Sequence, residues 1–280
     1  MAVVPLRALV DEGHEVALVV SQPDRKRGRG GALRPSPVKA AALELGLPVS
    51  DRVDEVIEVG AELGVVVAYG RLIKPHVLAA VPMLNIHFSL LPRWRGAAPV
   101  ERAILAGDAT TGVCLVALEQ GLDTGPVYAC EEVPIGPEDT ADGLRAVLAE
   151  RGTALLLGML SEGLPTPRPQ EGEATYAAKL DADEHRLDWS RPAGEVHRVV
   201  RIGDAWTTFR GLRLKVLRVR LTEAGAEVPP PGELDPTSLV VGTGDGGVVL
   251  LDVQPEGRPP LAAGDWRNGA RLRPGERLGD

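Results

Sequence analysis

The chain has 280 residues, 44% hydrophobic and 25% charged, which is typical of globular domains and excludes a disordered or fibrous protein. Its net charge of −8 argues weakly against nucleic-acid binding by the chain as a whole. No run reaches the roughly 20 apolar residues of a membrane span, and no signal peptide is visible, so we expect a cytoplasmic protein. Two cysteines, Cys114 and Cys130, are too few for a disulfide framework or a metal motif, and we expect buried thiols.

The first part of the chain alternates between helical and strand patterns. Helices in this order between strands predict an α/β fold, with a Rossmann-like, doubly wound and mostly parallel sheet that carries helices on both faces. In chain order we predict a helix over residues 4–12, a buried parallel strand over 14–20, a loop over 22–37, a helix over 38–45, strands over 63–69 and 83–88, a helix over 97–106, strands over 112–118 and 127–133, and a helix over 140–160.

The pattern changes after residue 164. A stretch rich in proline and charge follows, and then short strands separated by Gly and Pro turns, which predict a small, OB-like β-barrel domain. We therefore divide the chain into a first domain over residues 1–164, a linker over 165–183 and a C-terminal domain over 184–280. The strands of this last domain are predicted at 212–221, 238–241 and 248–253, after a helix at 192–201.

The most informative stretch is the end of the strand over residues 83–88. Asn85 and His87 are two positions apart, so in a strand both side chains point to the same face. Pro92 cannot donate to a strand ladder, so the chain must leave the sheet before it. An amide and an imidazole at the carboxyl end of a strand lie where α/β proteins usually carry out chemistry, although a single strand histidine is more often a core residue.

Positive charge is concentrated in two clusters, each of which on its own fits a solvated surface. In the second cluster Arg213 and Lys215 alternate with Leu214 and Val216, so one face of the strand is cationic and the other faces the core. The first cluster comprises Arg25, Lys26, Arg27, Arg29, Arg34 and Lys39, and the second Arg198, Arg201, Arg210, Arg213, Lys215, Arg218 and Arg220.

Five motifs together resemble a known family. They are Gln22-Pro23-Asp24-Arg25 with Gly28-Arg29-Gly30, the Pro-Ser-Pro-Val-Lys run at 35–39, the Val-Ala-Tyr-Gly run at 67–70, the Asn-to-Pro run at 85–99, and the Gly-Leu-Asp-Thr-Gly-Pro run at 121–126. Over essentially its whole length the chain resembles the methionyl-tRNA formyltransferase branch of the 10-formyltetrahydrofolate-dependent formyltransferases. The Gly-Arg-Gly loop, the run at 94–99 and the β domain are the features of that branch.

The resemblance implies transfer of a formyl group from 10-formyltetrahydrofolate to the α-amine of methionine on initiator tRNA, for translation initiation. Asn85 and a protonated His87 would then donate hydrogen bonds to the oxyanion, and Asp123 would hold His87 or move protons through a water. Gly121 and Gly125 would let the Asp123 loop approach the ligand closely. The folate-contact segment that the resemblance implies is Ser89, Leu90, Leu91 and Pro92, and no metal is needed.

The resemblance also implies contact with tRNA, since cations in a Gly-rich loop meet phosphates. We expect a monomer whose partners are initiator methionyl-tRNA and the folate co-substrate, with no membrane partner. The tRNA-contact residues that it implies are Arg25, Lys26, Arg27, Arg29, Lys39, Arg213 and Lys215.

The resemblance implies a first strand ending in a Gly-Thr-Pro loop, whereas this chain starts at the helix that would follow it. We therefore expect a first domain that lacks this strand and exposes the strands at 14–20 and 63–69, with poor solubility as a consequence. Two other functions stay open. One is a formyltransferase acting on a small amine such as glycinamide ribonucleotide or an amino sugar, which would need neither the basic loop nor the β domain. The other is a non-catalytic tRNA-binding fragment.

Overall fold

The computed structural model describes residues 1–27 and 31–280, apart from the side chains of residues 26, 27 and 32. The chain divides into two compact units. The first unit comprises Met1–Val100, Ala109–Ile135 and Gly143–Ala178, and the second Glu101–Asp108, Gly136–Asp142 and Lys179–Asp280.

From Met1 to Ala178 the chain alternates between helices and strands, as the patterning predicts. The elements are α1 (Val3–Asp11), β1 (Val19–Val20), β2 (Arg25–Arg27), β3 (Ala32–Arg34), α2 (Pro37–Glu44), β4 (Val49–Ser50), α3 (Glu55–Glu58), β5 (Gly64–Val66), α4 (Pro75–Ala80), β6 (Met83–His87), β7 (Arg95–Gly96), α5 (Pro99–Ala106), β8 (Thr110–Ala117), β9 (Val127–Pro134), α6 (Ala141–Glu162) and β10 (Tyr176–Ala177).

The main sheet of the first unit has four strands in the order β5-β6-β8-β9. Strands β5 and β6 are parallel, whereas β8 runs antiparallel to both β6 and β9. The prediction of a mostly parallel, doubly wound sheet is therefore wrong, and the sheet is mixed. The short connection between β8 and β9 allows only antiparallel pairing, because a parallel pair needs a longer crossover.

The strands predicted at 14–20 and 63–69 are shorter and less buried than expected. Strand β1 pairs in parallel with β4 in a separate two-stranded sheet, and β5 pairs with β6. In the described residues no strand pairs with both β1 and β5, so the two parallel pairs do not merge into one sheet. Val65 and Val66 are consequently half-buried, as are Leu18 and Val20.

The segment predicted as a loop over residues 22–37 contains a hairpin. Strands β2 and β3 pair antiparallel, which sets Arg25 opposite Arg34. The hairpin was missed because a run of cations carries no apolar alternation. Ser36 then caps α2, since its Oγ accepts a hydrogen bond from the backbone N–H of Lys39 at 3.2 Å.

The two cysteines form a disulfide, so the prediction of two buried thiols is wrong. Cys114 on β8 lies directly opposite Cys130 on β9, with their Cα atoms 4.1 Å apart. Cys114 is buried, but Cys130 is exposed because it lies on an edge strand. The pairing depends on strand register, which cysteine spacing in the sequence does not reveal.

The second unit is built on an antiparallel sheet in the order β11-β12-β14-β13, with β15 added to β14. Trp189, Leu214, Val241 and Leu250 are among its buried core residues. Among the described residues β11 and β13 do not pair with each other, so the predicted closure into a barrel is absent from the strand pairing. Its elements are a 3-10 helix (Ala182–His185), α7 (Ala193–Arg201), β11 (Trp206–Phe209), β12 (Leu212–Leu221), β13 (Val240–Gly242), β14 (Gly247–Pro255), β15 (Leu261–Ala262) and α8 (Ala263–Ala270).

Helix α6 packs on the face of the main sheet that carries Ile86. Gly152 of α6 is buried there, and a Cβ at this position would lie 2.5 Å from Ile86 Cγ2 and 2.8 Å from Val113 Cγ2. Because side chains alternate along a strand, Asn85 and His87 point to the face that α6 does not cover. No helix in the described part of the chain combines the length and hydropathy that crossing a bilayer requires.

We predict that Gly152→Ala destabilises the protein by about 1–3 kcal/mol, because the new methyl group collides with two β-branched side chains that cannot turn away. Gly158→Ala, in the same helix, is the matched control. A Cβ at Gly158 meets no atom within 4 Å, so this change should stabilise the helix by about 0.4–1 kcal/mol. Thermal unfolding of both variants measures the difference, and equal melting temperatures would contradict the packing described.

Candidate functional site

Strand β6 positions two polar side chains, as the sequence predicts. Asn85 lies opposite Val66 on one side and Val116 on the other, and His87 lies opposite Cys114. Asn85 is half-buried, whereas only 5% of the His87 side chain is exposed. The two residues point to one face of the sheet, and Asn85 is the more accessible of them.

The chain leaves β6 through a tight turn that engages the imidazole. Ser89 Oγ donates a hydrogen bond to the Arg93 carbonyl at 2.6 Å. Trp94 has a φ of 61°, in the left-handed region, and its carbonyl accepts a hydrogen bond from His87 Nε2 at 3.0 Å. Because a carbonyl can only accept, His87 carries a proton on Nε2, and the neutral ring has its lone pair on Nδ1.

The Asp123 carboxylate joins these groups. Its Oδ1 accepts from Asn85 Nδ2 at 3.3 Å, and its Oδ2 accepts from the backbone N–H of Gly96 at 2.9 Å. Oδ2 also lies 3.6 Å from His87 Nδ1. The structure therefore brings together the three residues proposed as catalytic, and only 10% of the Asp123 side chain is exposed.

The glycines of the Asp123 loop allow close packing around the loop. A Cβ at Gly125 would lie 1.9 Å from the Ala117 carbonyl oxygen, and one at Gly121 would lie 2.2 Å from Thr124 Oγ1. A side chain is excluded at Gly125, where the close atom is backbone of β8, whereas at Gly121 the Thr124 side chain would have to move. The expectation that these glycines let the loop approach a ligand closely stays a prediction.

Burial controls the protonation of His87. It lowers the pKa of His87 below the ordinary value of 6.5, while the Asp123 charge and the hydrogen bond to the Trp94 carbonyl act in the opposite direction. The desolvation of the imidazolium is the largest of the three effects. Burial therefore favours the neutral imidazole, whereas the oxyanion hydrogen bond implied by the resemblance requires the protonated form.

The predicted folate-contact segment lies in the turn after β6. Ser89 has no exposed surface, and its hydroxyl is used within the turn. Leu90 packs against Gly112, where a Cβ would lie 2.4 Å from Leu90 Cδ2. Leu91 and Pro92 are half-buried and offer some apolar surface. The assignment of these four residues to folate stays a prediction.

The predicted tRNA-contact residues are in several cases already paired. Lys39 Nζ lies 2.7 Å from Asp24 Oδ1, and Lys215 Nζ lies 2.7 Å from Asp204 Oδ1. Arg213 stacks its guanidinium over the Trp206 ring, 4.2 Å from the centroid. The predicted alternation along β12 is confirmed, because Leu214 and Val216 are buried while Arg213 is exposed.

Three further residues of this set lie on strand β2. Arg25 is exposed on β2, and Lys26 and Arg27 belong to the same strand, although their side chains are not described. Arg29 lies outside the described residues. The tRNA assignment of all seven residues stays a prediction.

Sequence reasoning missed two main-chain groups of the site, the Trp94 carbonyl and the Gly96 N–H. Backbone groups leave no mark in a pattern of side chains, so no signal could have found them. Trp206 was also missed, although an aromatic residue among the second set of cations is a usable signal for stacking with arginine. Among the described residues no group of three or more His, Cys, Asp or Glu side chains is placed to hold a metal ion.

Comparison with known proteins agrees with this geometry. A family model described as "Formyl transferase" matches residues 3–160, and a second, described as "Formyl transferase, C-terminal domain", matches residues 179–271. A Roseobacter denitrificans protein named methionyl-tRNA formyltransferase is 48% identical over 96% of this chain and 93% of its own length. A Thermus thermophilus protein of the same name is 44% identical over 99% of this chain and 95% of its own length.

Solved structures show the same fold at lower identity. A sugar 3N-formyl transferase, WlaRD, superimposes with a TM-score of 0.67 at 16% identity, over 92% of this chain and 95% of that one. A methionyl-tRNA formyltransferase from Clostridium thermocellum gives a TM-score of 0.52 at 18% identity, over 64% of this chain and 83% of that one. The first family model alone covers more than half of the chain. The chain therefore belongs to the formyl transferase family.

Proposed function

We propose that this protein transfers a formyl group from 10-formyltetrahydrofolate to the α-amine of methionyl initiator tRNA, for translation initiation. The observation that carries the proposal is the Asp123 carboxylate, which joins Asn85 and His87 at the carboxyl end of β6. It supports the proposal because these are the three residues that the resemblance places at the reacting atoms. Relatives that share up to 48% identity carry the name of this activity.

When bound, 10-formyltetrahydrofolate supplies the formyl group, and the chain must stabilise the charge that develops on the formyl oxygen. Asn85 is suited to this because its side chain is half-buried rather than enclosed. Its Nδ2 carries two N–H donors, of which one is directed at Asp123 Oδ1 and the second serves the formyl oxygen. A donor placed in this way contributes roughly 10²–10³ in rate.

Asp123 and His87 together hold and move the proton that the methionyl ammonium must lose before its nitrogen can attack the formyl carbon. Neutral His87 accepts a proton only at Nδ1, because Nε2 keeps its hydrogen for the Trp94 carbonyl. A proton on Nδ1 would face Asp123 Oδ2, which is 3.6 Å away and compensates the new charge. The pair is therefore built to store one proton and to return it to the folate nitrogen when the bond between that nitrogen and the formyl carbon breaks.

The surface beside this group fits a flat aromatic co-substrate. Leu122, next to Asp123, is 52% exposed, and Leu91 and Pro92 are half-buried in the turn after β6. These three residues supply apolar area on both loops that meet at the Asp123 carboxylate. We assign to them, with Ser89 and Leu90 as the supporting turn, the contact with the folate ring system.

Cations on both units support an RNA substrate over a small amine. Strand β2 carries Arg25 opposite Arg34 of β3, so one short hairpin concentrates positive charge. In the second unit the Trp206 ring lies under the guanidiniums of Arg186 and Arg213, at 5.6 and 4.2 Å from the ring centroid. A formyltransferase for a small amine would need neither feature.

Further parts of the proposal concern organisation. We propose that the protein acts as a cytoplasmic monomer with domains over residues 1–164 and 184–280. Residues 165–183 connect them, and 168–177 of this segment are bonded to the first domain. We also propose that the C-terminal β domain contacts tRNA.

Formyl transfer to purified tRNA tests the proposal. The chain is incubated with 10-formyltetrahydrofolate and methionyl initiator tRNA, methionyl elongator tRNA, glycinamide ribonucleotide or a nucleotide-linked amino sugar. We expect formylation of methionyl initiator tRNA and little or none of the other three. Preferred formylation of a small amine would support the first alternative, and tRNA binding without formylation would support the second.

We predict that His87→Ala and Asp123→Ala each lower the turnover rate by at least about 10², since each change removes a positioned proton or hydrogen-bond partner. The control is His14→Ala, because His14 is an exposed histidine of the same unit. Turnover is measured at saturating substrates, with folding checked by circular dichroism. A variant that keeps more than a tenth of the wild-type rate would remove its residue from the mechanism.

We expect the cations of the first cluster to contribute to tRNA binding and not to folate binding. We predict that Arg25→Ala and Arg29→Ala each reduce the slope of log Kd for tRNA against log salt by about one counterion. Folate affinity should stay unchanged. Arg52→Ala is the control, because Arg52 is an exposed cation paired with Glu55 outside the hairpin. Equal losses for tRNA and folate would refute this division of labour.

His87 should titrate below its ordinary pKa of 6.5, because burial disfavours the imidazolium. Asp123→Asn removes the charge that raises this pKa, so the midpoint should fall further in NMR titrations of the imidazole. The unfolded chain binds the proton more readily, so the free energy of unfolding decreases as the pH falls below 6.5, the ordinary pKa of histidine. The melting temperature of the wild type should therefore fall more steeply over this range than that of His87→Gln. A His87 midpoint above 6.5 would contradict the burial effect.

A further inference from the structure

The segment over residues 168–177, which we call the strap, is bonded to both loops of the site. Arg168 exchanges two main-chain hydrogen bonds with Val127, at 2.7 and 2.8 Å, just after the Asp123 loop. Strand β10 pairs in parallel with β7, in the turn that follows β6. Thr175 Oγ1 also accepts the backbone N–H of Trp94 at 2.9 Å. The strap was predicted as a linker, yet it fixes the two loops on which the site is built.

Gln170 makes the contacts of the strap that lie closest to Asp123. Its Nε2 donates to the carbonyl oxygens of Asp123 and Gly125, both at 2.8 Å. Its Oε1 accepts from Arg95 Nε at 3.1 Å and Arg95 Nη2 at 2.7 Å. Both N–H donors of the amide and its oxygen are therefore used, and Arg95 fixes which end of the amide faces the loop.

These bonds act on a strained piece of backbone. Asp123 has a φ of 50°, in the left-handed region that non-glycine residues adopt only at a steric cost. Such a conformation persists only where the surroundings hold it. Gln170 stabilises this conformation, because it donates hydrogen bonds to the carbonyls of Asp123 and Gly125.

The orientation of this backbone decides where the carboxylate points. With the Asp123 peptide held in place, Oδ1 accepts a hydrogen bond from Asn85 Nδ2, and Oδ2 accepts one from the Gly96 N–H. Oδ2 also lies 3.6 Å from His87 Nδ1. Arg95 and Gly96 are consecutive, so the residue that orients the Gln170 amide adjoins the N–H that binds the carboxylate. Hydrogen bonds therefore connect the strap, the turn after β6 and the Asp123 loop to one another.

We propose that Gln170 is a positioning residue, whose amide holds the Asp123 loop so that the carboxylate is aimed at Asn85 and His87. Gln170 contacts backbone and Arg95 and acts on the chemistry only through Asp123. Its effect on rate rests on the proposed function, whereas its effect on the protonation of His87 does not.

Gln170→Met tests the proposal, because methionine keeps the length of the side chain and removes its donors and acceptor. A displacement of the carboxylate by about 1 Å can cost up to about 10² in rate, so we expect kcat to fall at least about tenfold. The KM for 10-formyltetrahydrofolate should change by less than about twofold, since the loss concerns positioning rather than binding. The NMR titration midpoint of His87 should move to lower pH, because Asp123 raises that pKa in the wild type.

Gln254→Met is the matched control. Gln254 Nε2 also donates to a backbone carbonyl, that of Arg258 at 2.9 Å, in the second unit. It should lower neither kcat nor the His87 midpoint. If Gln170→Met does not fold, Gln170→Glu replaces it, because glutamate keeps the acceptors for Arg95 and removes both donors to the loop. The expected loss of kcat is the same for Gln170→Glu.

A folded Gln170 variant with the kcat and His87 midpoint of the wild type would overturn the proposal. A melting temperature that falls while both of these values stay unchanged would assign Gln170 a purely structural role and would overturn it as well. If the unsubstituted chain formylates no substrate, the proposed function fails, and the His87 midpoint alone decides the role of Gln170.

Discussion

The Asp123 carboxylate is the point on which the candidate site depends. A carboxylate with only 10% of its side chain exposed loses most of its hydration, which costs several kcal/mol unless hydrogen bonds replace the lost water. Asn85 and the Gly96 N–H supply such bonds, and His87 lies next to them. The same contacts that make the buried charge tolerable therefore also assemble the reacting group. A change that moves the carboxylate should weaken stability and chemistry together.

Three parts of the fold position the Asp123 carboxylate and its partners. Strand β6 fixes Asn85 and His87 on one face, while α6 covers the other face through Gly152. The connection between β8 and β9 carries Asp123 back to the end of β6, which the antiparallel direction of these strands makes possible. The strap binds the Asp123 loop through Gln170 and the turn after β6 through β10. The antiparallel direction of β8 and β9 therefore decides where Asp123 lies.

The sequence predicts the parts of this molecule that rest on long, regular patterns. Helix α6 was found because it is a long run of helix-forming residues, and strand β6 because it is a short, largely apolar run. The three candidate catalytic residues follow from their spacing in recognised motifs. Strand direction, register and two-residue strands carry no period. For this reason the mixed sheet, the Cys114–Cys130 disulfide and the pairing of β7 with β10 were not predicted. The role of the strap was not predicted either, because a proline-rich and charged stretch has the composition of a linker.

The central claim is that Asp123 and His87 act as one unit around a shared proton, and a double-mutant cycle on turnover tests it most directly. Formyl transfer is measured for the wild type, His87→Ala, Asp123→Ala and the double variant under identical conditions. Groups that act together are strongly non-additive, so the double variant should be no more than about threefold slower than the slower single variant. Rate losses that multiply, with the double variant slower by the product of both factors, would show that the two residues act independently and would contradict the account.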